Sequence, residues 1–445
     1  MDQGNTGYII LNGALVLLMT PGLAFFYGGL VKAKSVVSMM MMSFGAIGLV
    51  AVLWAVYGFA IAFPATDSST YVGIQGVMAA PGGPGASIFG IQTGQIGLVD
   101  SLDPGEGPFP PMAFVFFQAT FAIITVALVS GAIADRAKFG AWMLFAFLWA
   151  TFVYFPVANW VFNFTVGEDG SYVAGGWLTY GLQNVFGLGA IDFAGGTAVH
   201  INSGAAALAL SIVAGQRVGF AKGAFAPHNP PFVLPGAGLL WFGWFGFNAG
   251  SELAADGVAA AAAVNTLIAP AAALLAWCVV ERFRDGKATA VGAASGVVAG
   301  LVAITPACAA LDPIWAIVLG IVAGALCALA GDLKFRWGFD DSLDVVSIHL
   351  VGGLVGTLFL GFFANGTGML FWTPEAGGSL GAATQLVVQA IAAGSVLVYS
   401  FVMALLLAWI VDRTIGIRVK REDELAGIDS VVHGEIGRAS CRERV

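Results

Sequence analysis

Asp192-Phe-Ala-Gly-Gly-Thr-Ala-Val-His200-Ile-Asn-Ser-Gly204 opens an apolar span and places a histidine inside it. Polar side chains at that depth are expensive, and they usually face a pore or a protein interior. The stretch has a distant echo. Asp341 precedes His349 by the same i, i+8 offset that separates Asp192 from His200, and Gly204 and Gly353 each follow their histidine one turn later. Either histidine alone reads equally well as a core residue. The matched pair favours two half-sites sharing one centre.

Composition sets the class. The chain has 445 residues, 58% of them hydrophobic and only 10% charged, and a mean hydropathy of +0.88. No soluble globular protein of this length needs so much apolar sequence, so the chain is expected to be an all-α polytopic membrane protein. The net charge of −8 says little about soluble partners, and no nucleic acid is expected among them. Cys278, Cys308 and Cys327 fall in apolar spans and Cys441 in the tail, with no spacing that suggests a disulfide framework or a metal site. The 62 glycines favour close helix–helix packing.

Eleven apolar segments of helical length run over 7–31, 36–63, 110–134, 139–163, 196–215, 232–252, 258–281, 288–310, 313–331, 343–364 and 381–411. The first lacks a basic leader and a small-residue cleavage site, so it reads as a retained helix. Lys32, Lys34, Arg136, Lys138, Arg217, Lys222, Arg282, Arg284, Lys287, Lys334, Arg336 and Arg413 all follow odd-numbered spans. The alternate loops carry acids only, among them Asp67, Asp100, Asp169, Asp256 and Glu375. The positive-inside rule therefore puts the N-terminus outside and the tail in the cytoplasm. Segments 64–109 and 164–190 read as irregular outer loops. The odd count splits as five plus five plus one C-terminal helix, which inverts the halves and puts a shared site between repeats near the midplane. On that reading residues 1–411 form the membrane domain and 412–435 a cytoplasmic C-terminal region.

At this point the residues resemble the Amt/Rh ammonium transporter family, over nearly the whole chain. The Asp192–Asn202 stretch looks like that family's signature. Further matches are Pro21-Gly-Leu-Ala-Phe-Phe-Tyr-Gly-Gly-Leu30, Phe117-Gln-Ala-Thr-Phe121, Pro227-His-Asn-Pro-Pro231, Gly243-Trp-Phe-Gly-Phe-Asn-Ala-Gly-Ser251, Thr305-Pro-Ala-Cys308 and Asp340-Asp-Ser-Leu-Asp-Val-Val-Ser-Ile-His349. The resemblance implies a homotrimer with one pore per subunit. It also implies ammonium or ammonia as substrate, no cofactor, and regulation at the C-terminal region, often by a PII-type signal protein.

The chemistry of such cargo is restrictive. A bare NH4+ in hydrocarbon costs on the order of tens of kcal/mol, whereas neutral NH3 costs far less. An outer site must attract the cation, through aromatic faces worth roughly 0.5–2 kcal/mol each and a hydroxyl acceptor. By resemblance Ser251 is that hydroxyl, and Phe121 and Phe247 are stacked rings closing the vestibule floor. Phe162 stands where the family usually has tryptophan, with Trp160 two residues earlier, which weakens the expected cation attraction. In a chain with 34 phenylalanines these rings also suit plain core packing. His200 and His349 line the pore below, where paired imidazoles offer both a donor and an acceptor. Asp192 reads equally as a helix cap and as a fixed charge supporting the outer cation. Of Asp341 and Asp344, Asp344 is the expected cap of the second histidine helix. Tyr27 and Phe26 are expected along the pore, and His228 is expected to be structural.

Two other classes compete with transport. An ammonium sensor would use the same pore to gate a signal, through a partner, since the short tail offers no fused signalling domain. A Rh-type gas channel predicts an outer site without the Phe247/Ser251 arrangement. An enzyme is not expected, because no nucleophile–base set appears beyond the two histidines. Residues 436–445, Ile-Gly-Arg-Ala-Ser-Cys-Arg-Glu-Arg-Val, read as a translated sequencing-adapter run and are expected to be non-native.

Overall fold

A computed structural model describes residues 1–63, 98, 107–166, 172–220 and 226–435. The outer loop expected over 64–109 and the tail expected to be non-native over 436–445 lie largely or wholly outside the described residues. The molecule is a helical bundle. Among the described residues, ten helices are long and apolar enough to cross a membrane: α1 (Gln3–Leu30), α2 (Val36–Ala62), α3 (Pro111–Ile133), α4 (Phe139–Phe162), α5 (Gly196–Ala214), α6 (Pro230–Glu252), α7 (Gly257–Arg284), α9 (Pro313–Trp337), α10 (Val346–Phe363) and α11 (Gly381–Thr414). The remaining expected span, 288–310, is helical only over α8 (Ala290–Ile304) and continues as turns to residue 310.

Three helices, α1, α7 and α8, start where a short polar side chain satisfies free amides of the first turn. Asp2 accepts from Asn5 N, Asp256 from Val258 N and Ala259 N, and Thr289 from Gly292 N. The packing is made by small residues. A Cβ at Gly236 would strike the backbone of Phe26, and one at Gly356 would strike the Ala303 carbonyl. Such backbone-to-backbone contact is how helices associate where lipid removes the hydrophobic drive. Some large apolar side chains face outward, such as Leu275 on α7 and Val398 on α11.

Two histidine helices cross at the centre. Both begin with a wide π-helical turn, Gly196–Ile201 in α5 and Val346–Leu350 in α10, a distortion frequent at functional positions. The crossing is reciprocal. A Cβ on Gly204 would run into Leu350, the residue after His349, and a Cβ on Gly353 would meet Ile201, the residue after His200. α1 and α6 cross in the same glycine-mediated way, through Gly236, Gly243 and Gly246.

The outer segment expected to be irregular is partly ordered. Phe164–Val166 pairs antiparallel with Tyr172–Gly175 as a two-stranded ribbon, because Phe164, Val166, Tyr172 and Val173 supply the aromatic and β-branched residues that suit a pleated edge.

At the end carrying the basic loops, a buried ionic knot ties the two halves. Arg217 grips Asp340 through Nε and Nη2 at 2.9 and 2.8 Å and reaches Asp135 at 3.1 Å. Arg136 donates to the carbonyls of Ala132 and Asp340. Burial alone would raise the Asp340 carboxyl, but the hydrogen bonds and charges of Arg217 and Arg136 outweigh it and hold it below its ordinary value. The segment after α11 folds back over this end of its own chain. Lys138 N donates to Ile417 O, Val218 N donates to Glu424, and Asp429 accepts from Val37 N and Ser38 N at the start of α2.

Candidate functional site

The centre is built where α3, α5, α6 and α10 meet. Asp192 sits just before α5, and its carboxylate accepts from the amides of Gly195, Gly196, Thr197 and Ala198 and from the Thr197 hydroxyl. That is the geometry of a cap, with both oxygens engaged. It fixes the turn that carries His200. At α10 the expected cap is exchanged. Asp341, not Asp344, accepts from Val346 N at 2.7 Å. Asp344 instead takes Lys334 Nζ at 2.7 Å. Asp344 adopts φ 61°, which turns it away from the first turn of the helix. The two caps match in spacing, since Asp341 precedes Val346 by five residues just as Asp192 precedes Thr197.

These caps bring the histidines together. Nδ1 of His200 lies 3.2 Å from Nδ1 of His349, with ring centroids 5.3 Å apart and planes 27° apart. One of the two nitrogens must therefore carry a proton and the other accept it. Both rings are buried, and His200 Nε2 has no partner among the described residues. The pair lines a narrow cavity whose other walls are Met19, Leu23, Phe26, Ile124, Leu128, Leu240, Trp244, Phe247 and Val298. A path with such walls disfavours an ion and tolerates a small neutral molecule.

Above the cavity, Phe121 and Phe247 stack face to face at 4.1 Å and 18°. Phe247 also lies 6.0 Å from the His200 ring. Phe162 meets Phe121 edge-on at 6.2 Å and 83°, and Phe117 stands 4.9 Å from Phe121. Ser251, half-buried, donates to Phe247 O at 2.8 Å, which leaves its oxygen lone pairs as acceptors. The structure thus gathers Phe121, Phe247, Phe162, His200 and His349, with Ser251 one turn beyond Phe247. The ring contacts of Trp160 are with Trp177 and Tyr399, at 5.6 and 4.7 Å.

Phe26 joins the cavity wall, and the neighbouring Tyr27 points its hydroxyl to Leu128 O at 3.0 Å. His228 Nδ1 contacts Val31 O at 2.9 Å, a loop-to-loop tie. The residue that the sequence reading missed is Trp244. Its indole stacks on His200 at 5.4 Å and 22°. The signal was available, because Trp244 precedes Phe247 by three residues and so shares its helix face.

The chain is similar to known proteins over nearly its whole length. The sequence profile of the Ammonium Transporter Family matches residues 7–438. The ammonium transporter of Mycobacterium tuberculosis H37Rv is 54% identical over 98% of this chain and 90% of its own length. The Bacillus subtilis ammonium transporter is 40% identical, with 98% of each chain covered. Among solved structures, one titled "Sensor Amt Protein" is similar with a TM-score of 0.81 and 25% identity over 96% of this chain and 98% of that one. Candida albicans Mep2 has a TM-score of 0.78 and 32% identity over 95% of this chain and 88% of that one. By this profile match and these relatives, the chain belongs to the ammonium transporter family and is a multi-pass membrane transporter, not an enzyme.

Proposed function

We propose that this chain takes up ammonium across the cell membrane by recruiting NH4+ at the acidic outer face and passing NH3 inward. The cation is held by the faces of Phe121 and Phe162 and the Ser251 oxygen, with Asp192 as a fixed negative charge nearby. It gives up its proton there, because the apolar cavity beyond excludes the ion. NH3 passes the Phe121–Phe247 stack, which parts as a gate, and then runs along His200 and His349, which offer it a donor and an acceptor in turn. The proton either follows separately through the histidine pair or returns to the outer solution. The observation that supports this reading is the gate ring Phe247 lying 6.0 Å from a His200 that pairs with His349 inside an otherwise apolar cavity.

The same reading takes the chain as a homotrimer of eleven-span subunits with one pore each. The N-terminus lies outside, the C-terminal region in the cytoplasm, and α8 with the turns after it completes a crossing. The two halves are inverted repeats, a reading supported by the reciprocal packing of Gly204 and Gly353. The test is ammonium-evoked current from proteoliposomes on a solid-supported membrane, beside a direct uptake assay. Current and uptake both lost in His200→Ala/His349→Ala means that charge moves through the pair. Uptake without current means neutral conduction.

A second reading is an ammonium sensor acting through a PII-type partner at the cytoplasmic face. It is favoured by the structural similarity to a protein titled as a sensor and by the way residues 412–435 tie α2, α4 and the 215–220 loop together. A folded chain that binds ammonium but gives neither uptake nor current would support this reading over transport.

A further inference from the structure

Among the described residues that line the cavity, Trp244 is the one besides the histidines with a side-chain N–H donor. Its indole Nε1 does not face the pore. It donates to Thr305 Oγ1 at 2.8 Å, and that hydroxyl donates onward to Leu301 O at 2.8 Å. Both side chains are buried, Thr305 completely. Thr305 caps the end of α8, where the helix gives way to turns. The next residue touches the segment that leads into the His200 helix. The Pro306 carbonyl accepts from Phe193 N at 3.2 Å, and the Pro306 ring fills the space that a side chain at Gly196 would need. Gly196 begins the π-helical turn that carries His200. A single two-residue turn therefore holds the indole on one side and the histidine's own helix start on the other.

We infer that Thr305 is a positioning residue for conduction: its hydroxyl pins the Trp244 N–H to the wall, so that the indole presents only its face to His200. Two consequences follow from the chemistry. A stacked indole face cannot hydrogen-bond in the plane of the imidazole, so His200 Nε2 stays unclaimed by the wall and open to a passing molecule. The indole also stays parallel to the imidazole, 22° from it, and keeps the passage beneath Phe247 from narrowing. Without the hydroxyl, a buried N–H would have no partner. It would then turn towards the cavity, where the imidazole nitrogen and the cargo can accept from it. The inference rests on the proposed transport role.

The test is uptake and ammonium-evoked current in proteoliposomes for wild type, Thr305→Val, Thr305→Ser, Trp244→Phe and the Trp244→Phe/Thr305→Val double variant. Thr305→Val keeps the shape and removes the hydroxyl. It is expected to lower maximal uptake by at least about tenfold with little change in half-saturation, because the outer site is untouched. Thr305→Ser, which restores the acceptor, is expected within about twofold of wild type. Phenylalanine has no N–H to pin, so Thr305→Val should add nothing in the Trp244→Phe background. Wild-type rates in Thr305→Val, or additive losses in the double variant, would overturn the positioning role while leaving transport intact. If Thr305→Val fails to fold, Thr305→Ala takes its place: a loss of uptake in the wild-type background that disappears in Trp244→Phe supports the role, and an equal loss in both backgrounds overturns it. Absence of uptake in folded wild type would instead overturn the transport reading itself.

Discussion

His200 and His349 meet through like nitrogens, Nδ1 to Nδ1 at 3.2 Å. A pair joined in this way shares one proton, and the donor and acceptor roles exchange only together. Each ring is thus the partner that keeps the other's nitrogen satisfied inside an apolar wall. Removing either one leaves a buried polar atom alone, at a cost of about 1–3 kcal/mol. His200→Ala and His349→Ala, made singly, should each abolish ammonium uptake in proteoliposomes and any ammonium-evoked current with it, the outcome also expected of the double variant. A single variant that retains wild-type uptake would show that the pair does not act as a unit.

Phe121 and Phe247, the proposed gate, stack at 4.1 Å. Phe247→Ala should open a hydrated route and admit K+, seen as a potassium-evoked current absent from wild type. The truncation should also destabilise the fold by about 3–5 kcal/mol, so folding is checked first by size-exclusion profile. A folded variant still silent to K+ would move the selective barrier elsewhere.

Phe162 presents its edge region to Phe121 at the outer site. Tryptophan is the stronger cation–π partner, by roughly 0.5–1 kcal/mol at a partly exposed position. Phe162→Trp should therefore lower the half-saturation concentration for ammonium about two- to fivefold, with maximal rate unchanged. Titration of uptake against ammonium concentration checks this, and an unchanged or raised half-saturation would remove Phe162 from the site.

Gly204 lies against the backbone of Leu350. Any Cβ there forces α5 and α10 apart at the level of the histidines. Gly204→Ala should cost about 1–3 kcal/mol by overpacking and also weaken transport, because the Nδ1–Nδ1 distance is set by that crossing. A variant with wild-type melting temperature and wild-type uptake would show that the crossing is looser than its packing suggests.

Asp341 carries its carboxyl pushed up to about 6, first by burial and then by the charge of Asp344, with Lys334 acting the other way. The sign follows from linkage. The folded state binds the proton more tightly than the unfolded chain, so Asp341 costs nothing below the ordinary carboxylate range and penalises folding increasingly as pH rises through about 6. Asp341→Asn retains an oxygen acceptor for Val346 N and removes the charge. Its stability relative to wild type should therefore grow between pH 4 and 8, towards roughly 3 kcal/mol at most. Melting temperatures of both proteins in detergent across that range test it, and a constant gap would contradict the burial-driven shift.

The bundle was legible in the sequence because membrane solvent leaves so few choices. A chain in hydrocarbon must satisfy its backbone internally, so apolar length reads directly as helix, and the basic residues mark alternate loops. The i, i+8 spacing of acid and histidine carried the core of the site, since helical periodicity puts cap and ring on one element whatever surrounds it. The Phe162 position followed from motif context, and the tertiary structure brings it against Phe121.

Only the tertiary structure decided what crosses between elements. It chose Asp341 over Asp344 as the cap, because Lys334, from the end of α9, claims Asp344. It set Trp160 among Trp177 and Tyr399, which come from an outer loop and from α11. It revealed Trp244 on His200 and Thr305 behind Trp244, three residues from α6, α5 and the end of α8. No periodicity within one helix encodes such a stack. Its geometry depends on how closely α5, α6 and α8 approach, and that distance is fixed by glycines and small side chains packing against another helix's backbone.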